Sequence, residues 1–396
     1  MVEVTPSTFN ALMRFTTRPD LIFVRGRGSW LWDHTGKKYL DFIQGWAVNC
    51  LGHCPPAVVE AIRRQSEELL NPSPAFYNLP AIQLADLIVQ NSCVDRVFYA
   101  NSGAEANEGA IKLARKWGGI HRSGAYEIIT MDHGFHGRTL ATMSASGKPQ
   151  WENLFEPKVT GFVKVDLNDL TAVKQAITPK TVAIMLEPIQ GEAGVFPAED
   201  DYLHALRQLT HEAGLLLIFD EVQTGMGRTG TLFGYQQSGV EPDIMTLGKG
   251  MGGGLPLAAL TAKEAVCCFE PGDQGGTFNG TPIITAAGLA VMKTLLEPDF
   301  LPQVRHVGDY LREKLLYLSQ RFGCGEVRGK GLLLALNLGR PVGGALVTAA
   351  MENGLLLNAP RPESLRFMPA LNLTTEEVDH MVAILEPLME KAWNAV

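Results

Sequence analysis

Positive charge is the scarcer kind in this 396-residue chain: 34 Lys and Arg stand against 42 Asp and Glu, a formal net charge of −8. No basic stretch and no RNA-binding aromatic pattern accompanies it, which argues against nucleic acid as a partner. Cysteine is sparse too. The six are scattered, no CxxC pair occurs, and Cys267 and Cys268 are adjacent. That excludes a disulfide framework and a zinc site, and it suits reduced thiols in a cytoplasmic protein. His53 lies near Cys50 and Cys54, but no fourth ligand stands nearby, so the cluster is read as structural and no metal is expected. No apolar run approaches membrane-spanning length, and the first twenty residues lack the apolar core of a signal peptide. Internal repeats and low-complexity segments are absent as well.

What the chain does have is apolar residue: 46% hydrophobic against 19% charged, over a length that suits two domains around large cores. Residues 21–48 alternate as short strands and predict a small antiparallel unit. Pro56 opens a helix that Asn71–Pro72 closes. From about residue 80, short apolar runs alternate with helical periodicity: Val97–Ala100, Glu127–Thr130, Val182–Leu186, Leu215–Phe219, Ile244–Leu247 and Leu257–Thr261. Such alternation predicts a mainly parallel sheet with helices on both faces. After about residue 295 the texture changes. Helices near 303–320 and 344–352 alternate with Val327–Leu338 and Leu365–Phe367, and a last helix starts at Thr374, with Glu377 completing a capping box.

The stretch 215–254 organises the rest. The run Leu215–Phe219 ends in Asp220–Glu221, and alternation sends those two carboxylates to opposite sides. In an open α/β sheet, ligands collect beyond the carboxyl ends of the strands, so Asp220 is placed to meet one. A second run, Ile244–Leu247, ends in Gly248–Lys249–Gly250 and brings Lys249 to the same edge. A salt bridge closing a turn accounts for such a pair equally well. Two other motifs are weaker. Gly225–Gly230 matches GxGxxG, with Asp243 beyond it, but five residues separate the strand from its first glycine and no good helix follows. Gly250 stands where a P-loop has Ser or Thr.

Further along lie other candidates. Strand, Ser-Gly turn and helix start in Tyr99-Ala100-Asn101-Ser102-Gly103-Ala104 make an anion site from free N–H groups, although Ser102 also suits a plain N-cap. Asp132-His133-Gly134-Phe135-His136-Gly137-Arg138 follows another strand, and its two histidines are read as loop residues. Glu187 and Glu192 follow Val182–Leu186. A carboxylate pair there could act as acid and base on a glycoside, but no sugar-site pattern supports it.

Taken together, Asp220-Glu221-Val222-Gln223-Thr224-Gly225-x-Gly227-Arg228-Thr229-Gly230 and Thr246-Leu247-Gly248-Lys249-Gly250 resemble the pyridoxal-phosphate aminotransferases that act on ω-amino groups, most of all the acetylornithine branch. The resemblance runs over nearly the whole chain. It implies the aspartate-aminotransferase-like fold: a large domain with a mainly parallel seven-stranded sheet and a smaller α+β domain. It divides the chain into an N-terminal segment, 1–55, joining the small domain, a cofactor-binding domain, 56–295, and a small C-terminal domain, 296–396.

A cofactor aldehyde needs a lysine amine able to lose its proton near neutrality, and a pyridine ring needs a carboxylate at its nitrogen. The resemblance gives these roles to Lys249 and Asp220, both catalytic. It places Ser102, Gly103 and Ala104 on the phosphate of pyridoxal 5'-phosphate, Phe135 on the ring face and Gln223 on the ring hydroxyl. Thr277 would reach the phosphate of the partner in a homodimer whose active sites lie at the interface. Arg138 and Arg366 would grip substrate carboxylates and Glu192 would gate them. Gln274 and Gly276 depart from the pattern, so any substrate contact from Gly276 must come through its backbone.

The implied reaction moves the δ-amino group of N-acetylornithine to 2-oxoglutarate, giving N-acetylglutamate semialdehyde and glutamate, in the route to arginine. Succinylornithine, ornithine, 4-aminobutyrate and diamines remain open as donors. A nicotinamide oxidoreductase and a non-catalytic binding protein are the alternatives from other classes.

Overall fold

The computed structural model describes residues 11–13 and 15–394. The N-terminal stretch read above as lacking a leader lies partly outside them.

Seven strands form the central sheet, in the order Arg96–Ala100, Ala258–Ala262, Ile244–Leu247, Leu216–Asp220, Thr181–Leu186, Glu127–Met131, Phe162–Val165. Neighbours pair in parallel except Ala258–Ala262, which runs antiparallel to the strand on each side of it. The middle strands are buried along their whole length, which is why they appear in the sequence as unbroken apolar runs. Phe162–Val165 was not anticipated. It is a short edge strand, half-exposed and interrupted by Lys164, so it carries no buried run to recognise. Helix Leu79–Gln90 was also missed, although Asn78 caps it by accepting from the Ala81 N–H at 3.0 Å.

Three smaller sheets accompany it among the described residues, one of them just the antiparallel pair Ile189–Gln190 and Phe196–Pro197. Val327–Lys330, Leu333–Asn337, Ser364–Phe367 and Asn358–Arg361 pair antiparallel in that order. Phe23–Arg27, Trp30–Asp33 and Lys38–Asp41 form the antiparallel unit expected near the N-terminus, and Leu355–Leu356 adds to it in parallel. The capping box of helix Thr375–Asn394 ties the two ends together. Thr374 Oγ accepts from the Glu377 N–H at 3.3 Å, and the Glu377 carboxylate accepts from the Thr374 N–H at 3.2 Å. That carboxylate also accepts from Ser29 Oγ and Trp30 Nε1, each at 2.8 Å.

The GxGxxG stretch has no α-helix behind it, only the short 3-10 turn Gly234–Gln237. Residues 222–233 are turns, and Arg228 is buried in the core, donating to the carbonyls of Leu332 and Pro369. These glycines serve packing: a Cβ on Gly227 would stand 2.9 Å from Leu371 Cδ1.

Candidate active site

Asp220 is the last residue of its strand, and alternation separates it from Glu221 as expected. Glu221 turns into the core, where it accepts the N–H groups of Gly234 and Tyr235, and burial pushes its carboxyl up to about 7. Asp220 turns the other way. Its Oδ2 accepts from Asn107 Nδ2 at 2.7 Å and meets His136 Nδ1 at 2.8 Å, and its Oδ1 accepts from the Val222 N–H at 3.0 Å. Because an ionised carboxylate only accepts, His136 carries its proton on Nδ1. Burial works to lower the His136 imidazole, but the Asp220 hydrogen bond and the charges of Asp220 and Glu187 hold it above its ordinary value. Asn107 is fixed in turn, accepting from Thr246 Oγ on the neighbouring strand at 2.7 Å.

Lys249 follows that neighbouring strand. The structure does not pair it with Asp220, so the turn-closing salt bridge is absent; among the described residues Lys249 has no carboxylate within 4.0 Å. Desolvation lowers its amine, opposed by the more distant charges of Glu192, Glu187 and Asp220. A lysine so placed can lose its proton far more readily than one in water. Two glycines make the approach possible. A Cβ on Gly103 would stand 2.7 Å from Val222 Cγ1, and one on Gly248 would stand 3.1 Å from the same atom. Thus the start of helix Gly103–His121 sits directly against the turns that bear Asp220 and Lys249.

At that helix start Ser102 is an N-cap, its Oγ accepting from the Glu105 N–H at 3.3 Å. The two roles are compatible, since the accepting hydroxyl keeps its own hydrogen for an anion. Gln223 is buried, and its Oε1 finds no partner among the described residues. An orphaned acceptor in that position fits a ligand hydroxyl. The residues present therefore suit a phosphorylated, hydroxylated pyridine: an anion-binding helix start, a fixed carboxylate, an amine and an unsatisfied acceptor.

Arg366 lies in the buried strand Ser364–Phe367. Its Nε donates to Asn358 Oδ1 at 2.9 Å, its Nη1 to the Gly191 carbonyl at 2.8 Å and its Nη2 to Glu192 Oε1 at 2.9 Å. Glu192 is pushed up by burial but held lower overall, at about 2, by Arg366, Lys148 and Lys249. Phe135 and Arg138 sit against Trp151, with the Phe135 ring centroid 5.7 Å from that of Trp151 and the guanidinium 5.4 Å from the indole. Thr277 and Gly276 are exposed on a loop with Phe278, and that loop meets the helix start through Asn279, whose Oδ1 accepts from Asn101 Nδ2 at 2.9 Å.

Sequence reasoning overlooked four contributors. Asn107 and His136 position Asp220; His136 had been read as a loop residue, and it does lie in the loop, but its ring is buried. Lys148 and Asn358 contact Glu192 and Arg366. Only Asn107 left a usable signal: a polar residue on the otherwise apolar face of helix Gly103–His121. Glu187 was noticed but not placed. It accepts the N–H groups of Phe135 at 2.8 Å and Gly191 at 3.3 Å, joining the two loops of the site.

Comparison with known proteins converges on the same place. Residues 14–389 match the aminotransferase class-III family. The chain is 59% identical to an acetylornithine aminotransferase of Ralstonia nicotianae, over 96% of this chain and 97% of that one. It is 45% identical to an acetylornithine aminotransferase of Methanocaldococcus jannaschii, over 93% of each. Among solved structures, the ornithine aminotransferase of Toxoplasma gondii superposes with a TM-score of 0.92 at 30% identity, covering 98% of this chain and 95% of that one. The N-acetylornithine aminotransferase of Stenotrophomonas maltophilia superposes with a TM-score of 0.85 at 35% identity, covering 98% and 100%. Matched over this much of its length, and with its lysine and aspartate at adjoining strand ends of the expected sheet, the chain belongs to the class-III aminotransferase family, whose cofactor is pyridoxal 5'-phosphate.

Proposed function

We propose that the enzyme transfers the δ-amino group of N-acetylornithine to 2-oxoglutarate, giving N-acetylglutamate semialdehyde and glutamate, as a step towards arginine. The observation that carries this reading is the 59% identity, across almost all of both chains, to a protein named for that donor. The ornithine aminotransferase of similar shape shares only 30%. Ornithine, succinylornithine, 4-aminobutyrate and diamines are the competing donors.

When bound, pyridoxal phosphate supplies an amine carrier and an electron sink. Ser102, Gly103 and Ala104 would hold its phosphate, Phe135 its ring face and Gln223 its hydroxyl. Asp220 would keep the ring nitrogen protonated, with Asn107 and His136 fixing the carboxylate. Lys249 would hold the aldehyde, then take and return the proton at the amine-bearing carbon of the substrate. Arg366 and Arg138 would bind the two carboxylates of glutamate. N-acetylornithine has no carboxylate on its reacting carbon, so Glu192 would stay on Arg366 during that half-reaction and spare the pocket a buried, unpaired cation.

Two finer points belong to the same reading. A homodimer is favoured by exposed apolar residues near the Thr277 loop: Phe76, Tyr77, Leu79, Ile82 and Phe278. There Thr277, and Gly276 through its backbone, would meet the partner's site. A cytoplasmic setting fits the six free cysteines.

A panel of amino donors with 2-oxoglutarate as acceptor tests the reading. The highest kcat/KM is expected for N-acetylornithine; a higher value for ornithine or 4-aminobutyrate would reassign the donor.

A further inference from the structure

Glu192 has two cationic partners, not one. Its Oε1 accepts from buried Arg366 at 2.9 Å, and its Oε2 accepts from Lys148 Nζ at 3.2 Å. The Lys148 ammonium is steadied by aromatic faces, 4.6 Å from the Phe135 ring centroid and 5.3 Å from that of Trp151. Glu192 itself lies in the tight turn between the short strands Ile189–Gln190 and Phe196–Pro197, so its side chain can turn without disturbing a sheet. It also borders a cavity of about 340 Å³, lined in part by Lys148, His133, Gln150 and Arg361. Space therefore exists beside Glu192, and Lys148 reaches both that space and the carboxylate.

We propose that Lys148 is a positioning residue that holds the Glu192 carboxylate once it leaves Arg366, and so sets how readily the pocket admits a donor bearing an α-carboxylate. The proposal rests on the reading of Glu192 as a gate over Arg366. A contact present in both gate positions shifts nothing unless its strength differs between them. On this proposal it differs. With the gate on Arg366, the carboxylate is shared between a buried guanidinium and Lys148, so losing Lys148 still leaves it a cation. With the gate open, Arg366 is lost to it; of the cations bordering the cavity, Lys148 and Arg361, Lys148 is the one already in contact with the carboxylate, which without it would lose its nearest partner. Removing Lys148 thus penalises the open gate more than the closed one.

Single-turnover half-reactions of the holoenzyme test this, with glutamate and N-acetylornithine as separate donors. Lys148→Met is expected to raise the half-saturating glutamate concentration about tenfold, with a distinctly smaller change for N-acetylornithine. Lys148→Arg should restore most of the difference, since it keeps the charge. The decisive arm is the double mutant cycle with Glu192→Ala, in which the Lys148→Met effect on glutamate should vanish. If the same glutamate penalty persists without Glu192, Lys148 acts on the substrate's charge directly and the proposal is wrong. Equal losses for both donors in Lys148→Met, alongside a donor-selective Glu192→Ala, would overturn the role of Lys148 alone. A Glu192→Ala enzyme without donor selectivity would instead remove the gate on which the proposal rests.

Discussion

The imidazole of His136 stands 2.8 Å from the carboxylate of Asp220, and both are closed off from solvent. With Asn107 bonded to the same oxygen, this pair fixes an acid at the carboxyl end of a central strand and aims its other oxygen at the turn that follows. A carboxylate held by two donors on one oxygen cannot rotate to follow a ligand. On the proposed reading, that single orientation would serve a ring nitrogen.

From this, Asp220→Ala should lower the rate by about a thousandfold, which is about 4 kcal/mol of transition-state stabilisation. Some cofactor should remain bound through the phosphate site. His136→Phe should cost about tenfold, because Asn107 still holds the carboxylate. Steady-state rates at saturating cofactor check both. An Asp220→Ala rate within a few-fold of wild type would remove Asp220 from the ring nitrogen.

Lys249→Ala should abolish turnover and the visible absorbance of the lysine-bound cofactor together, since the other amine near the site, Lys148, is engaged by Glu192. Absorbance spectra and activity on the same sample decide it.

The Glu192–Arg366 pair predicts opposite selectivities. Glu192→Ala leaves Arg366 free, so the glutamate half-reaction should become faster or tighter and the N-acetylornithine half-reaction weaker. Arg366→Ala should harm glutamate far more than N-acetylornithine. Single-turnover rates with each donor measure the contrast.

The same pair predicts a pH dependence of stability. The folded value of Glu192, about 2, lies below its ordinary 4.5. Its contribution is therefore complete above about 4.5 and is lost as pH falls from there towards about 2. Urea midpoints of wild type and Glu192→Gln should differ at pH 7, draw together below about pH 4.5 and converge only near about pH 2; a gap independent of pH would contradict the sign.

Thr277→Ala should weaken retention of cofactor while leaving the protomer folded, because Thr277 is exposed in its own protomer. Dialysis against cofactor-free buffer, followed by circular dichroism, separates the two effects.

Much of this was legible in the sequence because burial writes itself into composition. The strand Thr181–Leu186 is apolar throughout because both its faces are covered, and Asp220 announces itself by ending such a run. Phe162–Val165 was not legible, because an edge strand half in water has no such pattern. The site divides in the same way. Lys249 and Asp220 sit at strand ends that periodicity locates. Lys148 reaches Glu192 from a loop 44 residues away, and nothing local in either segment records that contact. Asn358 reaches Arg366 only because register pairs the two across an antiparallel ladder.

The most direct test of the account is to follow the cofactor absorbance of the holoenzyme on mixing with N-acetylornithine and then with 2-oxoglutarate. The account predicts that the first addition discharges the visible band with one equivalent of N-acetylglutamate semialdehyde released per site, and that the second restores the band and releases glutamate. A band left unmoved by N-acetylornithine but discharged by ornithine, 4-aminobutyrate or a diamine would contradict it.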